Sequence, residues 1–290
     1  MKKAIGVDLG GTNTKVGLVS YDGRILKRIE VPTRVDKGSH HLINNIIECI
    51  KKIHEKNIEG IGVGSPGPLD SKKGIILDPV NLPLRNVPIK KILEKEFKTT
   101  VILNNDANCY ALGEAHYGAA KRYRHVVGLT LGTGIGGGII IDKKLYHGRG
   151  NAAELGHMTI DFNGKESNCG NNGCIEELAA ARGILSRSKG MNVETTLQLF
   201  QLARKGNRKA QKVFHDIGEF LGVAITNTMY AFDPEIIVIG GKISESWQFF
   251  EESMHETIRK RYFSRPCPVV RTKLGRDAGI LGAASLLLDQ

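Results

Sequence analysis

The chain has 290 residues, and 41 Lys and Arg against 30 Asp and Glu give a formal net charge of +11. A chain of this length forms one large domain or two moderate domains with a substantial core. Its 41% hydrophobic content and nine prolines exclude a disordered or collagen-like protein. The 35 glycines are 12% of the 290 residues, against a usual share of about 7%. We expect this surplus to be concentrated at particular sites.

Several classes of protein are excluded by composition. The N-terminus lacks an apolar run of signal length, and no stretch approaches the roughly 20 apolar residues of a membrane span. Five cysteines are few, and odd in number, for a disulfide scaffold. Positive charges are scattered as short pairs, and the densest patch, 121–124, is short. We therefore predict a cytoplasmic protein without a nucleic-acid or membrane partner, whose positive field would suit an anionic small substrate.

The first elements predict an antiparallel meander followed by a crossover. Strands over 4–8, 14–20 and about 24–31 are separated by short turns with Gly-Gly and Asp-Gly signals. Apolar residues at helical spacing then predict a helix with Ser39 as its N-cap. A strand over 58–64 follows, so the helix returns the chain to the sheet.

The rest of the chain repeats this pattern. A helix near 90–97, a strand over 101–104 and a helix over 106–117 lead to a second hairpin with strands at 126–130 and 138–141. We then expect a long helix near 207–230, a strand over 236–239 and a final helix from about Ala278. Two halves that each open with a glycine-turned hairpin predict a duplicated α/β domain with a cleft between the copies.

The first glycine turn, Asp8–Asn13, is a candidate phosphate site. Glycine lets the backbone approach an anion and present its N–H groups without Cβ bulk. Asp8, at the end of a strand, could orient a magnesium-bound water, because Mg²⁺ is usually held through one or two carboxylates and phosphate oxygens. Taken alone, the turn could equally be an ordinary hairpin.

The second glycine turn, Leu131–Gly138, changes that balance because it holds five glycines. It matches the spacing of a dinucleotide fingerprint, but that site requires a helix directly after the turn. Here a strand and another turn follow, and no Walker lysine is present. Two glycine hairpins facing each other across a cleft fit a nucleoside triphosphate held from both sides.

Two further clusters carry chemistry. Asp106 follows Asn104-Asn105 at a strand end, where its carboxylate could deprotonate a hydroxyl or could simply N-cap the next helix. Further on, His157 and the pair Cys169 and Cys174 resemble a structural zinc site.

Together these segments resemble the ROK family of sugar kinases and sugar-responsive repressors, within the actin–hexokinase ATPase superfamily. The resemblance runs over nearly the whole length, and it depends on the order and spacing of motifs that are individually weak. The motifs are Asp8–Asn13, Leu131–Gly138, Glu154–His157, Cys169–Glu176, Ile239–Gly241 and Asp277–Gly282.

The resemblance implies duplicated actin-like (RNase H-like) ATPase domains with an interdomain cleft. We expect a small lobe over residues 1–106, completed by the C-terminal helix 279–290. Residues 107–278 would form the large lobe with a zinc-knuckle-like insertion. The family also suggests a homodimer.

The resemblance implies roles for individual residues. Asp106 corresponds to the catalytic base. Sugar binding is assigned to Ser65, Gly67, Asn81, Asn105, Asp106, Glu154, His157 and Glu176. Nucleotide binding is assigned to Asp8, Gly10, Gly11, Thr12, Asn13, Lys15, Gly132, Thr133, Gly134, Gly136, Gly240 and Gly241.

The chain departs from the family at the zinc signature. The usual first cysteine is replaced by Ser167, which leaves His157, Cys169 and Cys174 as ligands. A serine hydroxyl is a poor zinc ligand, so zinc could be bound weakly, with water, or not at all, while the knuckle persists.

The predicted activity is ATP- and Mg²⁺-dependent phosphorylation of the 6-hydroxyl of glucose. An N-acetylglucosamine or N-acetylmannosamine kinase is the alternative within enzymes, because the same motifs serve all these substrates. A repressor is not expected, since the first strand begins near Met1 and leaves no room for a helix-turn-helix domain. A non-catalytic sugar sensor is opposed by Asp106 and both glycine loops.

Overall fold

The structure is a computed structural model, and it describes residues 2–288 as a mixed α/β fold. The strands are β1 (Lys3–Leu9), β2 (Asn13–Ser20), β3 (Ile25–Pro32), β4 (Ile61–Ser65), β5 (Leu69–Asp70), β6 (Ile75–Ile76), β7 (Val101–Asn105), β8 (Val126–Leu131), β9 (Ile135–Ile141), β10 (Lys144–Leu145), β11 (Ile236–Gly240) and β12 (Val269–Arg271). The helices are α1 (Gly38–Ile53), α2 (Ile89–Phe97), α3 (Asp106–Tyr117), α4 (Ile175–Ala179), α5 (Ala181–Arg187), α6 (Thr196–Arg204), α7 (Arg208–Phe232), α8 (Glu251–Arg261) and α9 (Ala278–Leu288).

The two five-stranded sheets have the same strand order. The first runs β3-β2-β1-β4-β7 and the second runs β10-β9-β8-β11-β12. In each sheet, three consecutive strands are followed by two later ones on the other side of the first strand. In the first sheet, β1 pairs antiparallel with β2 and parallel with β4. This repeat confirms the predicted duplicated α/β architecture.

Contacts divide the chain into two compact units. One contains the residues up to Gly128, Gly138–Ala152 and the chain from Thr272 onward, and the other contains Leu129–Gly137 and Ala153–Arg271. The division differs from the predicted lobe boundary at residue 106, because α3 packs with α9 in the first unit.

Strand β1 shows how the first unit is built. Ile5, Val7 and Leu9 are buried in a cluster shared with α1, whereas Ala4 belongs to a cluster shared with α9. Side chains alternate between the faces of a strand, so an apolar strand of this kind is covered on both sides.

Glycines allow α9 to approach its neighbours at backbone distance. A Cβ on Gly6 would lie 2.0 Å from the Ile280 carbonyl oxygen, and one on Gly62 would lie 1.8 Å from the Ala283 carbonyl oxygen. A Cβ on Gly282 would lie 1.6 Å from the Cys109 carbonyl oxygen of α3. Part of the glycine surplus is therefore explained by packing rather than by ligand binding.

The buried carboxylate of Glu114 joins α3 to the segment that leads into α9. It accepts hydrogen bonds from the Thr272 hydroxyl and from the backbone N–H groups of Ala119, at 2.8 Å, and Leu274, at 3.0 Å. A buried charge needs such partners. This network fixes the C-terminal half of α3 against the approach to α9.

The predicted elements are present, with three corrections. Ser39 is not the N-cap of α1, because the helix begins at Gly38 and has no side-chain cap. The strand predicted over 58–64 begins at Ile61, since Gly60 has a φ of +154°, which is not extended strand geometry. The turn of the second hairpin is shorter than predicted, because β9 begins at Ile135.

The shorter turn places three glycines in strand β9 itself. A Cβ on Gly137 would lie 2.4 Å from the Ala153 carbonyl oxygen, and one on Gly138 would lie 2.5 Å from the Cβ of Ala111. These two positions therefore need glycine because neighbouring chain packs closely on the strand.

Among residues 2–288, no helix is long and apolar enough to span a membrane. The five cysteines are all free thiols.

Candidate functional site

The carboxyl ends of three parallel strands form the edge where the predicted residues of the first unit lie. Asp8 of β1 is in register with Gly64 of β4, and Gly64 is in register with Asn104 of β7. The next residue pair along the edge is Ser65 and Asn105. Ligands of α/β proteins commonly bind at the carboxyl ends of such strands. The structure therefore gathers residues from three separate motifs at one edge.

Asp106 is the first residue of α3, directly after β7. The helix is capped by Asn105, whose side-chain oxygen accepts the N–H groups of Ala107, at 2.9 Å, and Asn108, at 3.2 Å. The alternative in which Asp106 is the N-cap is therefore wrong. The Asp106 carboxylate accepts the Ala107 N–H at 2.9 Å, at a helix end where negative charge is favourable.

Asn104 holds this corner together from within the core. Its buried side-chain oxygen accepts the Asn105 N–H at 2.8 Å and the Asn108 side-chain amide at 3.0 Å. Neighbouring amide groups thus fix the strand-to-helix turn that carries Asp106.

The other predicted sugar residues of the first unit lie close by. A Cβ on Gly67 would lie 3.8 Å from the side-chain nitrogen of Asn105. The exposed Asn81 lies against the first glycine turn, since a Cβ on Gly11 would be 3.3 Å from the Cβ of Asn81. Ser65 is fully buried and donates to the Pro66 carbonyl oxygen at 3.2 Å.

The first glycine turn is held by charged side chains. Lys15 lies opposite Asp8 on β1 and opposite Glu30 on β3. Its ammonium group is 2.7 Å from the Asp8 carboxylate. Glu30 accepts the Asn13 side-chain amide at 2.9 Å and pairs with Arg276 at 2.5 Å. These side chains form a charged row across three strands, directly beneath the turn.

The pKa of Glu30 reflects this setting. Burial raises the pKa of the carboxyl group, but the charges of Arg276, Arg28 and Lys15 outweigh burial and hold it below the ordinary value of 4.5. Glu30 is therefore negatively charged at neutral pH in the folded protein.

The backbone of the same turn is also tied to the chain that follows β3. The Thr33 hydroxyl donates to the Gly10 carbonyl oxygen at 2.6 Å, and the Thr33 N–H donates to the Thr12 carbonyl oxygen at 2.9 Å. Gly10 donates across the turn to the Asn13 carbonyl oxygen at 3.1 Å. The turn is therefore fixed on both sides by hydrogen bonds to its backbone.

The second glycine turn, residues 132–134, is held mainly through its backbone. The Gly132 N–H donates to the Gly134 carbonyl oxygen at 2.9 Å, and the Gly132 carbonyl oxygen accepts the Ala181 N–H at 3.0 Å. The carboxylate of Glu176 accepts the N–H of Ile135, the residue after the turn, at 2.8 Å. Glu176 was predicted only as a sugar ligand, and its contact with this turn had no signal in the sequence.

The predicted adenosine turn lies beside the end of β8. Gly241 has a φ of +83°, and a Cβ there would lie 2.2 Å from the Leu131 carbonyl oxygen. The Ser244 hydroxyl donates to the Gly241 carbonyl oxygen at 2.7 Å. Gly241 thus approaches the strand that enters the second glycine turn.

Glu154 and His157, the first and last residues of the Glu-x-Gly-His motif, lie close to each other. The Glu154 carboxylate is 3.8 Å from the His157 ring nitrogen, and both side chains are exposed. A Cβ on Gly156 would lie 2.1 Å from the Ile135 carbonyl oxygen. This motif is therefore packed on the first residue of β9.

The predicted zinc ligands are gathered at one place. One ligand atom each from His157, Cys169 and Cys174 lies within 4.8 Å of the others. The two cysteine sulfurs are 3.7 Å apart, and two thiolates bound tetrahedrally at about 2.3 Å from zinc would be separated by nearly the same distance. The donor set and its spacing therefore fit zinc.

Ser167 lies where the fourth ligand of the family would be expected. Its hydroxyl oxygen is 2.7 Å from the Cys169 sulfur and 3.4 Å from the Cys174 sulfur. The hydrogen bond with Ser167 lowers the pKa of the exposed Cys169 thiol to about 7, whereas burial raises the pKa of Cys174. The two thiols of the knuckle therefore differ strongly in thiolate character.

Glu30, Glu114 and Arg276 are not among the residues that the sequence motifs indicate. Glu30 had a usable signal, since the register of a three-strand meander places it opposite Lys15. Glu114 and Arg276 act through partners more than 150 residues away in the sequence, and no local pattern reveals such contacts.

Comparisons with known proteins place the chain among sugar kinases and their regulatory relatives. Residues 4–290 match the ROK family. The glucokinase of Thermotoga maritima is 38% identical, with 99% of this chain and 98% of the relative covered. The xylose repressor of Caldicellulosiruptor bescii is 31% identical, with 98% of this chain and 78% of the repressor covered.

A solved structure gives the same result for the fold. The ROK family glucokinase of Streptomyces griseus, in complex with glucose and AMPPNP, superposes with a TM-score of 0.84 at 30% identity, and covers 98% of each chain. ROK kinases have the actin-like ATPase fold, as predicted from the sequence. The chain belongs to the ROK family.

Proposed function

We propose that the protein is an ATP-dependent hexose kinase that phosphorylates the 6-hydroxyl of glucose. The proposal is carried by one arrangement, in which the Asp106 carboxylate stands at the start of α3 on the strand edge that also carries Asp8. Full-length similarity to glucokinases supports the same activity.

In the proposed reaction, Asp106 is the catalytic base. It accepts the proton of the sugar hydroxyl as the hydroxyl oxygen forms a bond to the γ-phosphorus of ATP. The bond between the γ-phosphorus and the bridging oxygen breaks, and ADP leaves with that electron pair. Such catalysis depends mainly on positioning and electrostatics, and the amides of Asn104 and Asn105 fix the turn that holds the base.

The two glycine turns would hold the nucleotide. Backbone N–H groups in turns favour anions, and the glycines of the two turns add no side chain between the backbone and a phosphate. At Gly132 a Cβ would meet nothing within 4 Å, so this position leaves room for phosphate oxygens. We also assign to the nucleotide Thr12 of the first turn, with Asn13 and Lys15 of β2, and Thr133 of the second turn, with Gly136 of β9. The turn at Gly240-Gly241 would contact the adenosine.

Magnesium is the expected cofactor, and Asp8 fits it. The Asp8 carboxylate is partly accessible and is held by the Lys15 ammonium group at 2.7 Å. Mg²⁺ is usually bound through the oxygens of one or two carboxylates and through retained waters. When bound, the ion would neutralise charge on the phosphates. Gly279 preserves the room around this carboxylate, since a Cβ there would lie 2.7 Å from the Asp8 carboxyl carbon.

The sugar would be bound by hydroxyl-recognising side chains in each unit. In the first unit these are Asn81, Asn105 and Asp106, with Ser65 and Gly67 shaping the adjoining loop. In the second unit they are Glu154, His157 and Glu176. Carboxylates and amides suit the donors and acceptors of sugar hydroxyls.

Zinc would be a structural ion held by His157, Cys169 and Cys174, with Ser167 or water completing the set. Its contribution would be to orient His157, since metal ligation fixes a histidine ring. Zinc analysis of protein purified without chelator or added zinc tests this assignment, and a zinc-to-chain ratio near zero would contradict it.

Two alternative functions would use the same site. An N-acetylglucosamine or N-acetylmannosamine kinase would use the same base and loops, with a pocket that accepts the acetamido group. A sugar-responsive regulator is the other alternative, because the chain is also similar to a xylose repressor. We further propose a cytoplasmic homodimer.

A coupled ADP-release assay over glucose, mannose, fructose and the two N-acetylhexosamines separates these functions. We expect sugar-dependent ADP release that is fastest with glucose. Faster release with an N-acetylhexosamine would select the alternative kinase. Sugar binding without ADP release across the panel would overturn the kinase proposal in favour of a regulator.

A further inference from the structure

Glu176 lies between two motifs that the proposed function uses separately. It is the second residue of α4, a helix that begins directly after the knuckle cysteine Cys174. The helix start is fixed to the Glu-x-Gly-His segment, because the Ile175 N–H donates to the Met158 carbonyl oxygen at 3.0 Å. The side chain of Glu176, however, reaches the other motif and accepts the Ile135 N–H at 2.8 Å.

The contact with the glycine turn is close as well as directional. A Cβ on Gly134 would lie 2.4 Å from Oε2 of Glu176, the same oxygen that accepts the Ile135 N–H. The carboxylate therefore rests on the turn, and only glycine at position 134 leaves it there. A hydrogen bond from an amide to a carboxylate is stronger than one between neutral groups.

The second carboxylate oxygen, Oε1, is available to another partner. Within residues 2–288, Oε1 of Glu176 has no hydrogen-bond partner, and the side chain is partly exposed. An ionised carboxylate can accept bonds at both oxygens. One oxygen is thus committed to the glycine turn while the other is open to a donor such as a sugar hydroxyl.

Ile135 receives a second contact from the sugar motif. A Cβ on Gly156, between Glu154 and His157, would lie 2.1 Å from the Ile135 carbonyl oxygen. The N–H of Ile135 is therefore held by Glu176, while its carbonyl is packed against the Glu-x-Gly-His segment. The first residue after the phosphate turn is clamped by two segments that carry proposed sugar ligands.

We propose that Glu176 is a positioning residue that couples sugar binding to the phosphate turn 132–134. A sugar hydroxyl on Oε1 fixes the carboxylate, and Oε2 then fixes the Ile135 N–H and the turn before it. Sugar binding thereby prepares the turn for the triphosphate. The inference rests on the proposed function, and it adds a linkage between two sites that otherwise bind their ligands independently.

The test is calorimetric titration of Mg²⁺·AMPPNP into the protein, without glucose and with glucose saturating for each variant. We expect glucose to tighten AMPPNP binding in the unaltered protein by about fivefold or more, a usual size for coupling between sites. In Glu176→Gln, this factor should fall close to one even at saturating glucose, because only one of the two terminal atoms of the neutral amide is an acceptor, whereas the carboxylate accepts at both.

Two matched controls separate the linkage from simpler roles. Glu177→Gln changes the adjacent carboxylate, which pairs with Arg182, and should retain the full factor. Glu154→Gln should weaken glucose binding but retain the factor once glucose saturates.

Three results would overturn the inference. Glu176 would be an ordinary sugar ligand if Glu176→Gln showed weak glucose binding with the full factor at saturation. It would be a structural support for the turn if AMPPNP binding weakened equally with and without glucose. Absence of any coupling in the unaltered protein would remove the linkage itself.

Hydrogen exchange gives a readout that needs no variant. Glucose alone should slow exchange of the amides at residues 132–135, and unchanged exchange under saturating glucose would contradict the coupling. Failure of the proposed function is distinguishable, since it would appear as absent sugar-dependent ADP release irrespective of the coupling factor.

Discussion

The two glycine turns have the same place in their sheets but are supported differently. Residues 10–11 lie above a charged row that runs from Asp8 through Lys15 to Glu30. Residues 132–134 are held by backbone hydrogen bonds, by the Glu176 carboxylate and by close contact of the neighbouring β8 with Gly241. The strength of interactions between side-chain charges depends on salt and pH. The stability of closely packed backbone is instead lowered by added side-chain volume.

This difference suggests that the two turns have different functions. The first turn has a carboxylate at its base, and so it is suited to a metal-bound phosphate. The second turn has a carboxylate that comes from the sugar-binding segment, and so it is suited to respond to the sugar. Neither turn supplies the base for proton transfer, which the proposal assigns to Asp106.

The largest expected effect separates the chemistry from both turns. Asp106→Asn removes the base but retains the size and polarity of the side chain, and loss of a general base typically slows a reaction by about 10²–10⁴-fold. We expect kcat to fall by this amount while the KM values for sugar and ATP change little. Steady-state kinetics with glucose check it, and near-normal turnover would remove Asp106 from its role.

The second effect tests the support of residues 132–134. In Gly134→Ala the new Cβ would lie 2.4 Å from the Glu176 carboxylate. We expect the free energy of unfolding to fall by about 1–3 kcal/mol, because the displaced carboxylate loses its hydrogen bond to the Ile135 N–H. Gly132→Ala is the matched control, because a Cβ there has nothing within 4 Å. Denaturant titration of the unliganded variants makes the comparison, and equal stabilities would contradict the described contact.

The third effect concerns the knuckle from which Glu176 extends. Ser167→Cys places a third thiolate beside Cys169 and Cys174. Since even outer contacts of a zinc site are worth about 10–100-fold in affinity, we expect zinc affinity to rise at least about tenfold. Competition with a chromogenic chelator measures it, with Ser186→Cys, outside the knuckle, as a control. Unchanged affinity would show that residue 167 lies outside the metal site.

The smallest effect tests the charged row beneath the first turn. The folded pKa of Glu30 lies below its ordinary value of 4.5, so its stabilising effect should be present above that value and be lost as the pH falls through the folded pKa. We expect Glu30→Gln to cost about 1 kcal/mol or less at pH 7. The deficit should disappear under acidic conditions. Thermal unfolding over a pH series measures it, and a deficit independent of pH would contradict an ionic role.

Local sequence patterns were sufficient to predict most helices and strands. They also predicted that Asp106 lies at the end of a strand. Short connections leave few topologies, which is why the duplicated strand order follows from two hairpins and their crossovers. The cap of α3 could not be assigned in the same way, because Asn105 and Asp106 are both good N-caps and only the backbone geometry selects Asn105.

The remaining errors come from contacts between distant segments. Gly137 and Gly138 were interpreted as part of a turn because the chain that packs against them, at Ala153 and Ala111, is not visible in their own sequence. Glu176 was assigned to sugar binding alone for the same reason, since its partner Ile135 is 41 residues away. Such contacts depend on the tertiary packing rather than on spacing.

Phosphoryl transfer to a sugar hydroxyl can be followed by ³¹P NMR, which identifies both products. With glucose, Mg²⁺ and ATP, we expect ADP and glucose 6-phosphate to appear in equal amounts, and Asp106→Asn to form both far more slowly. ATP hydrolysis to inorganic phosphate without a sugar phosphate would contradict it. So would binding of glucose and ATP with no transfer at all.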